Sequence, residues 1–245
     1  MKKTLAGKKD AFGLGLLEYM EKGTSSEIIE REDGVMFYAY NGEYFTPYKK
    51  WPYYEKQAIK YAAGRVLDIG CGAGRHAVYL QQKGMDVLGI DNSPLAAEIS
   101  RKRGVRKVKK MDIEKITPKL GRFGTILMLG NNFGLFQNKK RMKKILGVLY
   151  KMTADDAVII AETMDPHRLP GSGQGEYVKR NVESGRPAGF VRMRILIREV
   201  IGPWFDYLYV SKKEMVEMLE GTPWRVKRFF GCIMPSYTAV IEKRR

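Results

Sequence analysis

The stretch RVLDIGCGAGRHAVYL, residues 65–80, constrains the fold of this 245-residue chain more than any other. Val66, Leu67 and Ile69 form a short apolar run that predicts a buried strand, and the run stops in a glycine cluster before AVYL resumes at helical spacing. The order is strand, tight turn, helix. Gly70, Gly72 and Gly74 leave no side chains on the turn, so its backbone can come close to a ligand and its amides can point into a cleft. A side chain at any of the three is expected to stand where the ligand sits. Asp68, the last residue but one of the strand, adds a carboxylate at the mouth of the turn.

A dinucleotide site calls for G-x-G-x-x-G, because its third glycine lets the helix pack tightly while the helix start receives a pyrophosphate. Here the spacing is G-x-G-x-G, with arginine at position 75. A pyrophosphate gains nothing from Asp68, whereas a ligand carrying an ammonium group and a sulfonium does. The run Asp68-Ile69-Gly70-Cys71-Gly72-Ala73-Gly74 resembles motif I of the class I S-adenosylmethionine (SAM) dependent methyltransferases. The resemblance implies an α/β fold: a doubly wound, mixed seven-stranded sheet in the order 3-2-1-4-5-7-6, with helices on both faces. It also implies SAM as cofactor, held around Asp68, Gly70, Cys71, Gly72 and Gly74. A glycine turn that serves packing alone is the structural alternative.

The rest of the chain can be laid along that order. Residues 11–22 carry Phe12, Leu16, Tyr19 and Met20 at helical spacing. EIIERE and VMFYAY read as a β-hairpin with Asp33-Gly34 at a two-residue turn, and Asn41-Gly42 marks another turn. Aromatic residues crowd the span from Phe37 to Tyr54; some belong to a core, others to a pocket wall facing a sulfonium. Pro52 to Ala63 reads as a helix ending before Gly64. In the methyltransferases a helix in this place often closes over the cofactor, which singles out Tyr48 and Trp51.

MDVLGID is the second strand of the sheet and ends at Asp91, where a carboxylate can accept hydrogen bonds from both hydroxyls of a ribose. A helix N-cap is the structural alternative for Asp91, although Asn92 or Ser93 before Pro94 would serve the next helix better. By resemblance, Asn92 touches adenine. After the helix from Pro94 to Arg103, a strand from Val105 to Met111 leads to Asp112 and Ile113. By resemblance, Met111, Asp112 and Ile113 border the adenine ring, with Asp112 taking its amino group; a capping or solvent-facing Asp112 is the alternative. The strand FGTILMLG delivers Leu129, Gly130, Asn131 and Asn132 to the carboxyl edge of the sheet, where a methyl group should meet its acceptor, and the backbone of Leu129, Gly130 and Asn131 is expected to belong to the cofactor site.

Lys139 to Met152 reads as a helix with Met142, Ile145, Leu146 and Leu149 on one face and a lysine-rich first turn of the wrong sign for its dipole. That turn is either a solvated face or a rim that attracts an anionic acceptor. AVIIAETMDP is the fifth strand, ending in the polar groups Glu162 and Asp165, with His167 shortly after. GEYVKRNVES, PAGFVRMRILIREVIG and PWFDYLYV then read as extended strands, a β insertion spanning 175–210 that would form a lid. Ser211 and Glu214 spell a capping box for the next helix, and two closing strands follow. The expected organisation is a cap over residues 1–50, a helix and a hairpin, and a SAM-binding domain over 51–245.

The net charge of +17, from 44 basic and 27 acidic residues, invites a nucleic-acid partner. The basic run RKRGVRKVKK nevertheless falls on a helix-to-strand return away from the expected cofactor edge, where a solvated surface suffices. Lys and Glu are plentiful and Asn and Gln sparse, as in proteins from hot environments. Cys71 and Cys232 suggest neither a disulfide framework nor a metal cluster, and no uncharged apolar run is long enough to span a bilayer, so a cytoplasmic enzyme without a metal or membrane partner is expected. Enzymes that methylate base amines usually carry N/D-P-P-Y/F after the fourth strand. This chain has Gly130-Asn131-Asn132-Phe133 there, and neither cysteine is placed as a base-carbon nucleophile.

The expected activity is therefore methyl transfer from SAM to an unidentified acceptor, a small molecule, by direct in-line displacement. Asn131, Asn132, Glu162 and His167 are the candidates for orienting that acceptor. An RNA or protein methyltransferase using the basic surface, a non-enzymatic SAM-binding regulator and an aminopropyltransferase relative are the competing readings.

Overall fold

The structure is a computed structural model that describes residues 10–171, 173–231 and 234–244. Cys232 and the basic opening before Asp10 lie outside the described residues. In chain order the elements are α1 (Ala11–Lys22), β1 (Ser26–Arg31), β2 (Met36–Tyr40), α2 (Tyr53–Ala58), β3 (Val66–Ile69), α3 (Arg75–Gln82), β4 (Val87–Asp91), α4 (Pro94–Lys102), β5 (Lys107–Lys110) and β6 (Phe123–Met128). There follow α5 (Lys139–Lys151), β7 (Thr153–Met164), α6 (Gln174–Glu183), β8 (Phe190–Ile197), β9 (Val200–Ile201), β10 (Phe205–Leu208), α7 (Lys212–Leu219), β11 (Trp224–Phe230) and β12 (Ser236–Lys243).

Seven strands hydrogen-bond in the order β11-β12-β7-β6-β3-β4-β5. Counted from β3 as the first strand, and read from the β5 edge, this is the expected 3-2-1-4-5-7-6. The sheet is mixed: β4 pairs parallel with β5 and β6 with β7, while β12 runs antiparallel to both β7 and β11. Every residue of β3 and β4 is buried, as their apolar runs require of strands covered on both faces. By contrast β5 reads KVKK and exposes Lys107, Lys109 and Lys110. Charge on an outermost strand discourages pairing with another chain, which gives the basic run a structural use. A second sheet has the order β10-β8-β1-β2, with β9 paired to β8, so the N-terminal hairpin and the strands of the insertion share one sheet.

The chain forms two compact units, one of residues 10–50, 68–113 and 192–205, the other of 51–67, 114–191 and 206–244. In the first unit, α1 packs on α4. Leu16 meets Ala73, Ala96 and Ile99, ringed by Phe12, Leu17, Met20, Tyr44 and Phe45. The approach is close enough that a Cβ on Gly13 would lie 2.5 Å from the Cβ of Leu95. In the second unit, α5 buries Met142, Ile145, Leu146 and Leu149 as its spacing predicts, and Asn138 caps its start by accepting from the Arg141 amide at 2.9 Å. Trp224, fully buried on β11, donates its indole N–H to the Leu146 carbonyl at 3.1 Å. The capping box of Ser211 and Glu214 forms as predicted.

Four local expectations need correction. GEYVKRNVES is not extended: Gln174–Glu183 is a helix, so the insertion is mixed rather than all β. Its buried positions are Tyr177 and Asn181, four apart, and the Asn181 amide donates to the carbonyls of Ala188 and Phe190. Val182, on the same helix, faces solvent. The hairpin turn is not centred on Asp33-Gly34 either. The Gly34 amide donates to the Arg31 carbonyl and the Arg31 amide to Val35, so Glu32 and Asp33 are the central residues and left-handed Gly34 is a bulge after them. The helix expected over 52–63 covers only Tyr53–Ala58, followed by a 3-10 turn at Ile59–Tyr61. The third strand shrinks to Lys107–Lys110.

No helix among the described residues is long and apolar enough to cross a membrane. One buried carboxyl in the first unit stands out. Glu27, on β1, is 2% exposed, and its Oε2 has no partner among the described residues. Burial pushes its pKa up to about 8, against a hydrogen bond from Asn41 that lowers it. The folded state therefore holds a proton that the unfolded chain releases near pH 4.5, and stability should fall as pH rises from about 4.5 to about 8. The slope from this one group is at most about 1.4 kcal/mol per pH unit. Thermal unfolding of Glu27→Gln between pH 5 and pH 8 should show a shallower decline than the parent; parallel curves would mean that Glu27 is ionised in the fold.

Candidate functional site

In the first unit the glycine turn joins β3 to α3. Gly70, Gly72 and Gly74 have φ of 72°, 53° and 77°, the left-handed region that costs other residues about 1 kcal/mol or more. The amides of Gly70 and Cys71 both donate to the Ile90 carbonyl, at 2.9 and 3.0 Å, and fasten the turn to β4. Asp91, at the end of β4, accepts from the Gly72 amide at 2.9 Å through one oxygen and from the Ser93 amide at 2.9 Å through the other. Met111 donates its amide to the Asp91 carbonyl at 2.8 Å, which ties the segment before Asp112 to the same strand end.

The three glycines are not equivalent. A Cβ on Gly74 would lie 2.6 Å from Val105 Cγ2 and 2.8 Å from Ser100 Oγ, so this glycine makes room for α4 and the strand after it rather than for a ligand. A Cβ on Gly72 would lie 3.4 Å from the Tyr44 ring and 3.8 Å from that of Phe12. Cys71 packs beneath the turn, its Sγ 3.6 Å from Ser100 Oγ, and burial among the charges of Asp91 and Asp68 pushes its thiol up, so it stays neutral.

Asp68 is 2% exposed and its Oδ2 has no partner among the described residues. Burial first, and the charge of Asp91 second, raise its pKa to about 7, with Arg75 opposing. Burial likewise raises Asp91 to about 6, against the hydrogen bonds from Ser93 and Gly72. Two adjacent buried carboxyls with little counter-charge make a site that gains from a cation.

Several residues that complete this cradle went unread in the sequence. Asp10 accepts from the Gly13 amide at 2.9 Å, the Ser93 hydroxyl at 2.7 Å and the Leu95 amide at 3.3 Å, so one carboxylate serves the starts of α1 and α4. Only its cap on α1 had a local signal. Arg103 donates to the carbonyls of Ala73 at 2.6 Å and Tyr44 at 3.3 Å, with its guanidinium 4.7 Å above the Phe45 ring. It belongs to the basic run read as solvated, yet it is half-buried. Arg75 reaches Thr46 Oγ1 at 3.1 Å. Asn92 is exposed, Asp112 half-buried and Ile113 buried. Tyr48 stacks on Tyr79 of α3 with centroids 4.4 Å apart and planes within 6°.

In the second unit, the loop after β6 is held by long-range bonds. Leu129 is buried, and the Gly130 amide donates at 2.7 Å to Glu162, itself buried on β7. Asn131 adopts φ of 64°, uncommon for a residue with a side chain. Tyr207 of β10 donates its hydroxyl to the Asn131 carbonyl at 2.6 Å. Its ring lies so near Gly134 that a Cβ there would come within 2.2 Å. Nothing lies within 4 Å of where a Cβ on Gly130 would be, and the buried Asn131 Oδ1 has no partner among the described residues. Asn132 opens a 3-10 turn that buries Phe133 and Phe136. His167 sits apart from this loop's bonds: it is exposed, 3.7 Å from Glu214. Trp51, singled out with Tyr48, is a buried residue of this second unit. Tyr207 lay within a run legible only as a strand.

Residues 66–155 match the family model described as a methyltransferase domain. A glycine/sarcosine N-methyltransferase of Halorhodospira halochloris is 31% identical over 116 residues, 45% of this chain and 43% of that protein. The 2-heptyl-1-hydroxyquinolin-4(1H)-one methyltransferase of Mycobacteroides abscessus is 39% identical over 70 residues, 26% of this chain and 31% of that one. The chain thus spans less than half the length of these curated relatives. Among solved structures, a SAM-dependent methyltransferase from Bacteroides fragilis, in complex with S-adenosyl-L-homocysteine, superposes with a TM-score of 0.82. Its identity is 22%, with 97% of this chain and 96% of that chain covered. Residues 66–155 are thus similar to a methyltransferase domain, and the chain has the class I, Rossmann-like fold of the SAM-dependent methyltransferases.

Proposed function

We propose that this chain is a SAM-dependent methyltransferase that delivers the methyl group to a small-molecule acceptor by direct in-line displacement. The observation that carries the reading is Asp68, a buried carboxyl with an unpartnered oxygen beside a turn of three left-handed glycines. A pyrophosphate would be repelled there, and a ligand with an ammonium and a sulfonium supplies the missing positive charge. When bound, SAM supplies a methyl group on a positively charged sulfur. Asp68 and the backbone of Gly70, Cys71 and Gly72 would hold its charged end. Asp91 keeps a lone pair on each oxygen beyond its two amide bonds, enough to accept both ribose hydroxyls. Asn92, Met111, Asp112 and Ile113 would border the adenine.

Displacement at a methyl group asks the protein chiefly to align the acceptor and exclude water. Asn131 suits the aligning role, because its Oδ1 can accept from an N–H or O–H of the acceptor, on a loop held by Tyr207 and by Glu162. Glu162 is committed to the Gly130 amide and His167 is exposed, which weighs against either as a general base. The substrates named for the curated relatives, glycine or sarcosine and a hydroxyquinolone, are small molecules, which supports a small acceptor here. The RNA or protein alternative rests on the net charge of +17.

Incubation with methyl-labelled SAM and glycine, sarcosine, small hydroxyaromatics or bulk RNA decides between these readings. Label should enter a low-molecular-weight acceptor. Label in RNA alone, with a mobility shift at low salt, would move the assignment to nucleic acid. Binding of SAM with no labelled product from any of them would favour a regulator.

Two further outcomes are expected. Because a cationic ligand needs Asp68 and Asp91 ionised, SAM binding should release protons near pH 6 and tighten as pH rises from about 5.5 to about 7. Calorimetry in buffers of different ionisation heat measures this, and Asp68→Asn should reduce the release and weaken binding at least ~10-fold. Asn131→Gly keeps the left-handed backbone but removes the side-chain oxygen. It should leave the melting temperature within a few degrees of the parent and cut turnover at least ~10-fold; full turnover would take Asn131 out of the reaction.

A further inference from the structure

The second unit contains a cleft that the cofactor cradle and the Asn131 loop do not use. It measures about 210 Å³ and is lined by Asp165 and Arg168 after β7, Ser211, Lys212 and Lys213 at the start of α7, and Tyr237 of β12. Three of these side chains are cations and one is an acid. Asp165 is already engaged, its carboxylate accepting from the His167 amide at 3.0 Å to close the turn that carries Arg168. The neighbouring acid, Glu214, accepts from the Ser211 amide at 2.7 Å.

Lys212 is the distinctive member. It is half-buried, its Nζ donates to the Gly231 carbonyl at 2.5 Å, and it lies 5.7 Å above the rings of both Phe229 and Tyr237. Among the described residues no carboxylate stands within ion-pair distance of it. A half-buried ammonium with one carbonyl partner keeps two donors unspent, and desolvating it without a counter-ion is unfavourable. Lys213 pairs with Glu217 only at 3.8 Å, on the solvent side of the helix.

We propose that this cleft is an anion subsite for a carboxylate or phosphate group of a small ligand. The volume exceeds that of a single water, about 30 Å³, and suits such a group with the first atoms attached to it. Its position suggests whose anion it is. The strands β6 and β7 run parallel, with Met128 opposite Ala161, so Asn131 and Asp165 both follow the carboxyl ends of neighbouring strands about 4.8 Å apart. Resting on the methyltransferase reading, the subsite holds the acidic end of the acceptor, and Asn131 orients the N–H or O–H that is methylated. The substrate class is then a small amino or hydroxy acid, or a phosphorylated equivalent.

The test uses the full chain and two probes, inorganic phosphate and acetate, titrated at ionic strength held constant with chloride. Amide resonances of Ser211, Lys212, Lys213 and Gly231 should shift and saturate with a millimolar dissociation constant, and the tighter probe identifies the chemical source of the anion. Arg168→Gln with Lys213→Gln should weaken binding at least ~5-fold, while Lys107→Gln on the exposed strand β5 should leave it unchanged. Shifts that never saturate, or that weaken equally in Lys107→Gln, would show diffuse attraction to a basic surface and overturn the subsite. In the labelled-methyl assay the double variant should raise KM for an acidic acceptor at least ~5-fold with kcat preserved; an unchanged KM would separate the cleft from the acceptor. Saturable phosphate binding without any methyl transfer would instead defeat the methyltransferase reading and leave the subsite standing.

Discussion

The Asp91 carboxylate, bonded at once to the Gly72 and Ser93 amides, is the constraint on which the first unit depends. It closes the end of β4 onto the glycine turn and starts α4, so the turn's left-handed geometry is fixed by a strand reached 19 residues later. Burying such a group is unfavourable: burial first, and the charge of Asp10 after it, raise the pKa of Asp91, while burial and the charge of Asp91 raise that of Asp68. A fold that keeps two acids adjacent and short of counter-charge is stabilised when a cation arrives. On the proposed reading, the stabilisation that the pair lacks by itself would become affinity for the ligand, which is a physical reason for proposing that the two acids are functional.

The surplus of positive charge has a partly internal explanation. Arg103 spends its guanidinium on two carbonyls and the Phe45 ring. Lys243 likewise donates to the carbonyls of Tyr150 and Thr153 and lies 4.3 Å above the Tyr150 ring. Cations that close carbonyls and cover aromatic rings need no acidic partner, so a chain that uses them in this way accumulates net charge without any polyanion to bind. Lys107, Lys109 and Lys110 on the outermost strand add to the count for a different reason, protection of a sheet edge.

What could be read from the sequence divides by the range of the interaction. The glycine turn, the apolar faces of β3 and β4, the caps at Ser93 and Ser211 and the strand order follow from patterns within a few residues of one another or from the motif they spell. The failures share a cause. GEYVKRNVES was read as extended, but the burial of Tyr177 and Asn181 on one face decided for a helix. Asp10 went unread, and its bonds to Ser93 and Leu95 span 83 and 85 residues and leave no local trace. Arg103 was hidden in a run of exposed cations. The aromatic stretch 37–54 gave no means of telling Tyr44, which lies against the glycine turn, from Tyr48, which stacks on Tyr79.

Long-range bracing also separates the Asn131 loop from an ordinary connection. A left-handed residue with a side chain is sustained only where its surroundings over-determine it. Here the residue before it is held by Glu162 from the neighbouring strand, and its own carbonyl by Tyr207, 76 positions away, whose ring excludes any side chain at Gly134. Such bracing does nothing for a loop that merely connects β6 to α5. It holds the backbone that carries the Asn131 amide, and on the proposed reading a displacement whose rate depends on the angle of approach is the kind of chemistry in which that placement would count.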